Sequence, residues 1–426
     1  MFTKTTEPVR LSDRAQILDV LRGIALLGIC LANYPVISLY IFQSPEKLAA
    51  FPTHQIDEVL AYVHFAFLDG KFYSLFSLLF GIGFAIMLRK KADGRQQAIS
   101  VFYRRLIILL MIGLAHAFLL WEGDILVLYA LLGMLLPLFR NWSDKALIRL
   151  AVILILLPLA FDAAKVLTNN KWNLATPFMQ KAIELDTATG ITQENAGTWL
   201  VDHKRYSDVL TWCRNSFFWR WNMLLDVNRL PKVFAMFLLG LYVGRKGIYL
   251  DLTAHRPLLK KVWRISLLIG LPTSLAHAYF ELDGRRLPDA YGLTDTLFYA
   301  LSVIPLSLFY TTSICLLYQR LTAQRILNLF APVGRMALTN YLVQSLCGVL
   351  IFYGIGLGFG ASIGVSIVFL ISLGVYLFQL CYSHLWFRYF QFGPLEWMWK
   401  QLTYGRSLPI RSKKAAQSEQ TIVPVE

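Results

Sequence analysis

Charge is scarce in this sequence. Of its 426 residues 16% are Asp, Glu, Lys or Arg, while 56% are hydrophobic and the mean hydropathy is +0.52. A soluble domain is charged at about 25% of positions, so this composition excludes an ordinary soluble fold and leaves a polytopic membrane protein. Cysteine is also rare. The five (Cys30, Cys213, Cys315, Cys347, Cys381) form no CxxC pair and no Cys/His cluster, so no disulfide framework or metal site is expected. No internal repeat is visible, and no small-residue cleavage site follows the first apolar run. That run therefore reads as an uncleaved helix and not as a signal peptide.

The net charge of +15 does not point to nucleic acid, because the basic residues sit at the ends of apolar runs. Those runs predict an all-α bundle of about ten spanning helices, near 17–38, 72–88, 106–121, 125–139, 146–161, 231–247, 262–280, 293–318, 336–356 and 362–386. Residues 1–410 read as a single transmembrane domain. Within it, 162–230 is polar but rich in tryptophan and reads as an extracytoplasmic cap. Residues 60–68 and 387–410 read as interfacial pieces, and 411–426 as a disordered cytoplasmic tail. With the N-terminus inside, inward segments carry 27 of the 41 Lys and Arg, and short outward loops carry four (Lys47, Lys71, Arg285, Arg286). Both termini are thus expected in the cytoplasm.

Polar residues inside the apolar runs carry the functional reading. In LDVLRGIALLGICLANYP (18–35), Arg22 and Asn33 are eleven residues apart, about 20° past three full turns and roughly 16 Å along the axis. Arg105 and His116 repeat that stripe on a second helix. The orientation puts Arg22, Arg104 and Arg105 inside and Asn33, His116, Glu122 and Asp124 outside. Arginine suits phosphate through its planar fork. A histidine near a carboxylate suits a general base, and either Glu122 or Asp124 could orient His116. Blander readings stand beside these. Asp19 and Arg22 can pair at i and i+3, Arg104 and Arg105 can anchor at headgroups, and His116 can satisfy an interhelical hydrogen bond. His277 reads as structural, while His54 and His64 remain alternative bases. Gly81 and Gly83, with Ser74 and Ser77, read as close-packing residues. Asn340 and Gln344 share one helix face and mark a pocket for substrate.

Five stretches carry a resemblance: LDVLRGIALLGICLANY (18–34), DGKFYSLFSLLFGIGFA (69–85), GLAHAFLLWEGDILVLYALLG (113–133), GRMALTNYLVQS (334–345) and GPLEWMWKQLTYGR (393–406). Together they resemble the YeiB-type bacterial inner-membrane proteins, a domain of unknown function. That family in turn resembles, more distantly, transmembrane acyltransferases of the acyltransferase-3 and heparan-glucosaminide N-acetyltransferase types. The resemblance implies acyl transfer from cytoplasmic acyl-CoA, a co-substrate and not a tightly bound cofactor, to an outer or lipid-linked glycan-type acceptor. Arg22-Gly23 matches the Arg-Gly of those enzymes, whereas Asn33 stands where acyltransferase-3 proteins have the catalytic histidine. On the acyl-transfer reading the residues themselves suggest phosphate binding by Arg22 and Arg105, hydrogen bonding by Asn33 and proton abstraction by His116 with Asp124. Glu122, Asn340 and Gln344 are assigned to the acceptor. Membrane lipid is the expected partner, nucleic acid is not, and a homodimer is left open. A transporter for a small anionic or amphipathic solute is the alternative, with the same stripes as its path.

Overall fold

The computed structural model of the protein describes residues 15–89, 95–284 and 287–411. The helices, in chain order, are α1 (Gln16–Ile37), α2 (Pro45–Ala49), α3 (His54–Val63), α4 (Lys71–Arg89), α5 (Arg95–Leu119), α6 (Leu126–Gly133), α7 (Asp144–Leu167), α8 (Thr176–Thr189) and α9 (Trp199–Asp202). They continue with α10 (Tyr206–Asp226), α11 (Arg229–Lys246), α12 (Arg256–Asp283), α13 (Ala290–Tyr318), α14 (Leu321–Leu327), α15 (Ala331–Arg335), α16 (Ala337–Phe352), α17 (Val365–Tyr389) and α18 (Pro394–Tyr404). Among the described residues there is no strand, so the chain is an all-helical polytopic bundle. Local chemistry sets several of the limits. Ser143 accepts from Ala146 N to start α7, and Gly190 and Gly247, with φ of 74° and 67°, end α8 and α11.

The count of spans is lower than ten. Among the described residues seven helices are long and apolar enough to cross a membrane, or eight if the α14–α15 and α16 pair, bent by 78°, is one span. Two expected spans fall short for different reasons. Helix α6 has eight residues, a rise of about 12 Å against a hydrocarbon core of about 30 Å. Helix α11 is long but carries Arg229, Lys232, Arg245 and Lys246. Much of its length is enclosed by protein, with Val233, Ala235, Met236, Phe237, Leu238 and Leu241 fully buried, while Arg245 and Lys246 lie at its end beside Asp144. Its close partner is α4, where a Cβ on Gly81 would run into the Phe237 carbonyl and one on Gly240 into the Leu78 carbonyl. The close-packing reading of Gly81 therefore holds. Helix α7, with 22% of its apolar window buried, is a peripheral helix.

The segment 162–230, read from sequence as a tryptophan-rich cap, is largely helical. Helix α7 runs on to Leu167, and α8, α9 and α10 fill most of the remainder. Periodicity was hidden there by polar residues that serve helix–helix contacts, as where Trp219 Nε1 and Asn215 Nδ2 of α10 donate to Asp186 of α8 at 2.7 and 3.0 Å. Its tryptophans divide: Trp199 and Trp212 are buried and stacked at 6.1 Å, whereas Trp172 is exposed. The 60–68 stretch is the end of α3 followed by a π-helical turn, His64–Leu68, inside one long candidate span from His54 to Arg89.

Helix α18 closes one end of the bundle. Glu396 accepts from Leu338 N (2.7 Å), Thr339 N (3.1 Å) and Thr339 Oγ1 (2.7 Å), satisfying the start of α16. Trp399 Nε1 donates to the Arg105 carbonyl (2.9 Å), and Arg104 donates to the Thr403 carbonyl (3.3 Å). The start of α1 packs against α15 at this same end. Both described termini therefore lie at one end, the basal end. Residues 1–14 and 412–426, including nearly all of the tail expected to be disordered, lie outside the described residues.

Candidate functional site

A cavity of about 1180 Å³ runs through the bundle. At the basal end its wall includes Arg22, Arg105, Arg335, Trp399 and Lys400. The middle is apolar and aromatic, with Leu26, Ile29, Phe72, Phe76, Leu79 and Phe80. The distal end is charged again, with Asp69, Arg229, Lys232, His277, Glu281 and Asp295. Such a wall suits a long molecule with an anionic head and an apolar body.

Two of the expected site arginines are on this wall. Arg22 donates to Asp19 Oδ1 at 2.6 Å, so the pairing and the cavity-facing position coexist. The Arg105 guanidinium stacks 4.1 Å from the Trp399 ring centroid, which orients its planar fork. Asn33 also lines the cavity, and Arg104 does not. The stripe from Arg22 to Asn33 is thus one side of the channel.

The expected base is placed elsewhere. His116 is buried, with Nδ1 2.7 Å from Asp124 Oδ2 and Nε2 3.0 Å from Ser345 Oγ. Asp124 Oδ1 accepts from Val127 N at 2.7 Å. This Asp124–His116–Ser345 chain ties the turn after α5 to α16. Gly123, Ile125 and Tyr341 line the cavity in front of it, and the Tyr341 ring packs 5.2 Å from the imidazole. His116 does not line the cavity: both ring nitrogens are engaged behind a protein wall.

Of the two candidate orienting carboxylates, Asp124 makes the contact and Glu122 does not. Glu122 is buried, its Oε2 has no hydrogen-bond partner, and burial pushes its carboxyl above the usual range. It borders a separate void of about 10 Å³ shared with Asp124 and Arg220, which is at the threshold for one water of about 10–15 Å³. Arg220 holds the turn by donating to the carbonyls of Asp124 (3.1 Å) and Gly123 (3.2 Å).

Asn340 and Gln344 do not line the cavity either. Asn340 Nδ2 donates to the Val333 carbonyl (3.0 Å) and Ser383 Oγ (3.2 Å), and its Oδ1 accepts from the Tyr382 hydroxyl. Gln344 Nε2 donates to the Leu26 carbonyl (3.2 Å) and Gln379 Oε1 (2.9 Å), while Gln379 Nε2 returns to the Asn340 carbonyl (2.7 Å). The polar face joins α16 to α1 and α17, which is how buried amides serve membrane bundles. The expected pocket face is an interhelical one.

The histidine that faces the cavity with an orienting carboxylate is His277. Its Nδ1 lies 2.7 Å from Asp295 Oδ1, and its buried Nε2 has no partner. Sequence reasoning passed over it because the carboxylate is on another helix, 18 positions away. The available signal was the α12–α13 hairpin, in which the two residues stand at equal distances in sequence from the turn and so at one height. His64 is also on the cavity wall, where it stacks on Phe369, while His54 pairs with Glu58 at the surface.

Donor atoms of His277, Glu281 and Asp295 fall within 4.8 Å of one another, a set that a divalent cation could use. Co-ligands of a tetrahedral zinc stand about 3.3 Å apart for bonds of about 2.0–2.1 Å. The 2.7 Å separation of Nδ1 and Oδ1 is therefore a hydrogen bond, and the pair is a dyad.

Comparison with known proteins covers nearly the whole chain. Residues 243–406 match the family described as protein of unknown function (DUF418). The chain is 33% identical to the uncharacterized protein YxaH of Bacillus subtilis over 414 residues, covering 96% of this chain and 98% of that one. It is 28% identical to the uncharacterized protein YeiB of Escherichia coli over 443 aligned positions, covering 94% and 99%. No solved structure matches it. With nearly the whole chain aligned to YxaH, this membrane protein belongs to the YeiB-type DUF418 family, whose function is unknown.

Proposed function

We propose that the protein is a membrane acyltransferase that moves an acyl group from acyl-CoA to a hydroxyl-bearing acceptor. The observation that carries this reading is the single cavity joining a basal cluster of arginines to the His277–Asp295 dyad through an apolar middle. Arg22 and Arg105 hold the phosphates of the donor. The pantetheine and acyl chain lie along the aromatic wall, and Asn33 donates to the thioester carbonyl. At the distal end His277 Nε2 takes the proton of the acceptor hydroxyl, and Asp295 keeps the imidazole in the tautomer that can accept it. The acceptor oxygen bonds to the carbonyl carbon, the C–S bond breaks, and the departing CoA thiolate takes the proton back from His277. The ester forms and the thiol leaves, with no other reactant. The basal end faces the cytoplasm in this reading, because the segments there are rich in Lys and Arg. A lipid-linked or glycan-type acceptor fits a distal end that faces the other side of an inner membrane.

The test uses protein reconstituted in phospholipid vesicles, with acyl-CoAs of graded chain length added on the basal side. CoA thiol release and acyl label in the membrane extract are followed. His277→Ala should lower the rate by about 10²–10⁴, the usual worth of general-base assistance, and Asp295→Asn by less. His116→Ala should lower yield and melting temperature while the folded fraction still turns over. Equal rates for wild type and His277→Ala would remove the dyad from the chemistry.

Transport of an anionic amphiphile is the second reading. It is favoured by the 78° break between α15 and α16, since broken helices are frequent in transporters. Uptake of an amphiphile without thiol release would select it.

A further inference from the structure

Among the described residues, two cations on the distal cavity wall, Lys232 and Arg229, make no direct ion pair with a carboxylate. Lys232 is 2% exposed, and among the described residues it has no hydrogen bond or ion pair. Its Nζ lies 3.9 Å from the Tyr299 ring centroid, a contact that leaves its three hydrogens without acceptors. Arg229, three residues earlier on the same face of α11, lies 4.6 Å from the Tyr73 ring centroid, and its Nε has no partner. The carboxylates facing Lys232 are Asp69, Asp162 and Asp295. Two of these are engaged. Asp162 accepts from Asn228 Nδ2 (2.8 Å) and Thr296 Oγ1 (2.8 Å) and pairs with Lys165 at 2.9 Å. Asp295 holds His277. Asp69 is left against three cations, Arg229, Lys232 and Lys71, the last of which donates to the Phe65 carbonyl at 2.6 Å, at the positive end of the α11 dipole. A buried ammonium that lacks an acceptor is costly unless a ligand supplies one.

We propose that Arg229 and Lys232 form a phosphate-binding subsite beside His277, so that the acceptor is a phosphate ester bearing a free hydroxyl. A guanidinium fork and an ammonium point charge together match a phosphate better than a neutral sugar. Tyr299 packs against both Lys232 and His277, the latter at 4.7 Å between ring centroids. A phosphate on Lys232 therefore leaves a neighbouring hydroxyl within reach of His277 Nε2. The word acceptor rests on the acyl-transfer reading, whereas the phosphate subsite stands without it.

The experiment measures binding, with no turnover needed. Purified protein in detergent is titrated with sn-glycerol 3-phosphate, and protein in nanodiscs of zwitterionic lipid is titrated with phosphatidylglycerol. Binding of the first identifies a soluble phosphate ester and binding of the second a lipid headgroup, and either supports the subsite. Lys232→Met should weaken that binding on the order of tenfold or more, the loss expected for one charge-assisted hydrogen bond. Lys232→Arg should restore most of it, which separates ligand loss from misfolding. Wild-type affinity in a monodisperse Lys232→Met protein overturns the proposal, as does binding of neither probe. So does a phosphate lost with Arg22→Ala but kept in Lys232→Met, since it would then sit at the basal end. Intact phosphate binding with no thiol release under any condition leaves the subsite standing and removes the acyl-transfer reading.

Discussion

Glu122 shows how much a residue's type leaves undecided. Beside His116 in sequence it looked equivalent to Asp124, yet Asp124 makes the contact and Glu122 is sealed away with an unpartnered oxygen. Burial raises its carboxyl from the usual 4.5. The folded protein thus binds this proton more tightly than the unfolded chain does. Stability from this residue is present at low pH and falls as pH rises through the raised value. Glu122→Gln keeps the shape and removes the charge. Its apparent melting temperature should rise above wild type by a few degrees at neutral pH, and the difference should shrink toward pH 4.5. A variant that melts lower than wild type at neutral pH would show a carboxylate needed in its charged form. Arg22 was legible in both its readings, because i to i+3 geometry and the stripe to Asn33 are properties of one helix. His277 was not, because its partner arrives from another.

At the scale of elements, Gly81 and Gly83 make the same point. Both belong to FGIGF and sequence treats them alike. Gly81 lies where α4 touches α11 backbone to backbone, whereas a Cβ on Gly83 meets nothing within 4 Å. Gly81→Val should abolish most folded yield, since the obstacle is a helix carbonyl that cannot move aside, and overpacking of even yielding cores costs about 1–3 kcal/mol. Gly83→Ala should be tolerated, with a gain of a few tenths to about 1 kcal/mol in helix propensity. Comparable detergent-resistant yields for the two variants would contradict the α4–α11 contact. Helix α11 itself was expected as a spanning helix on hydrophobicity. What decides its place is enclosure by protein, which lets it carry Arg229 and Lys232 into the cavity wall.

For the whole molecule, the testable statement is that both described termini share one end while α8 to α10 lie at the other. Reporter fusions after Leu252 and Arg411 should report the cytoplasmic side, and fusions placed within 190–205 the opposite side. A cytoplasmic signal from the latter would reverse the cavity and exchange the donor and acceptor ends.

Class, helical content, most element positions and family resemblance were readable from the chain alone. They follow from local and additive quantities: hydropathy summed over about 20 residues, charge at the ends of runs, and i to i+3 or i+4 spacing. The lengths and breaks of the helices, the sealing of His116, the interhelical use of Asn340 and Gln344, and the pairing of His277 with Asp295 were decided by tertiary structure. Each depends on which helix becomes a neighbour. Burial and hydrogen-bond partners are properties of pairs of elements, and no periodicity within one helix encodes the face that another will cover.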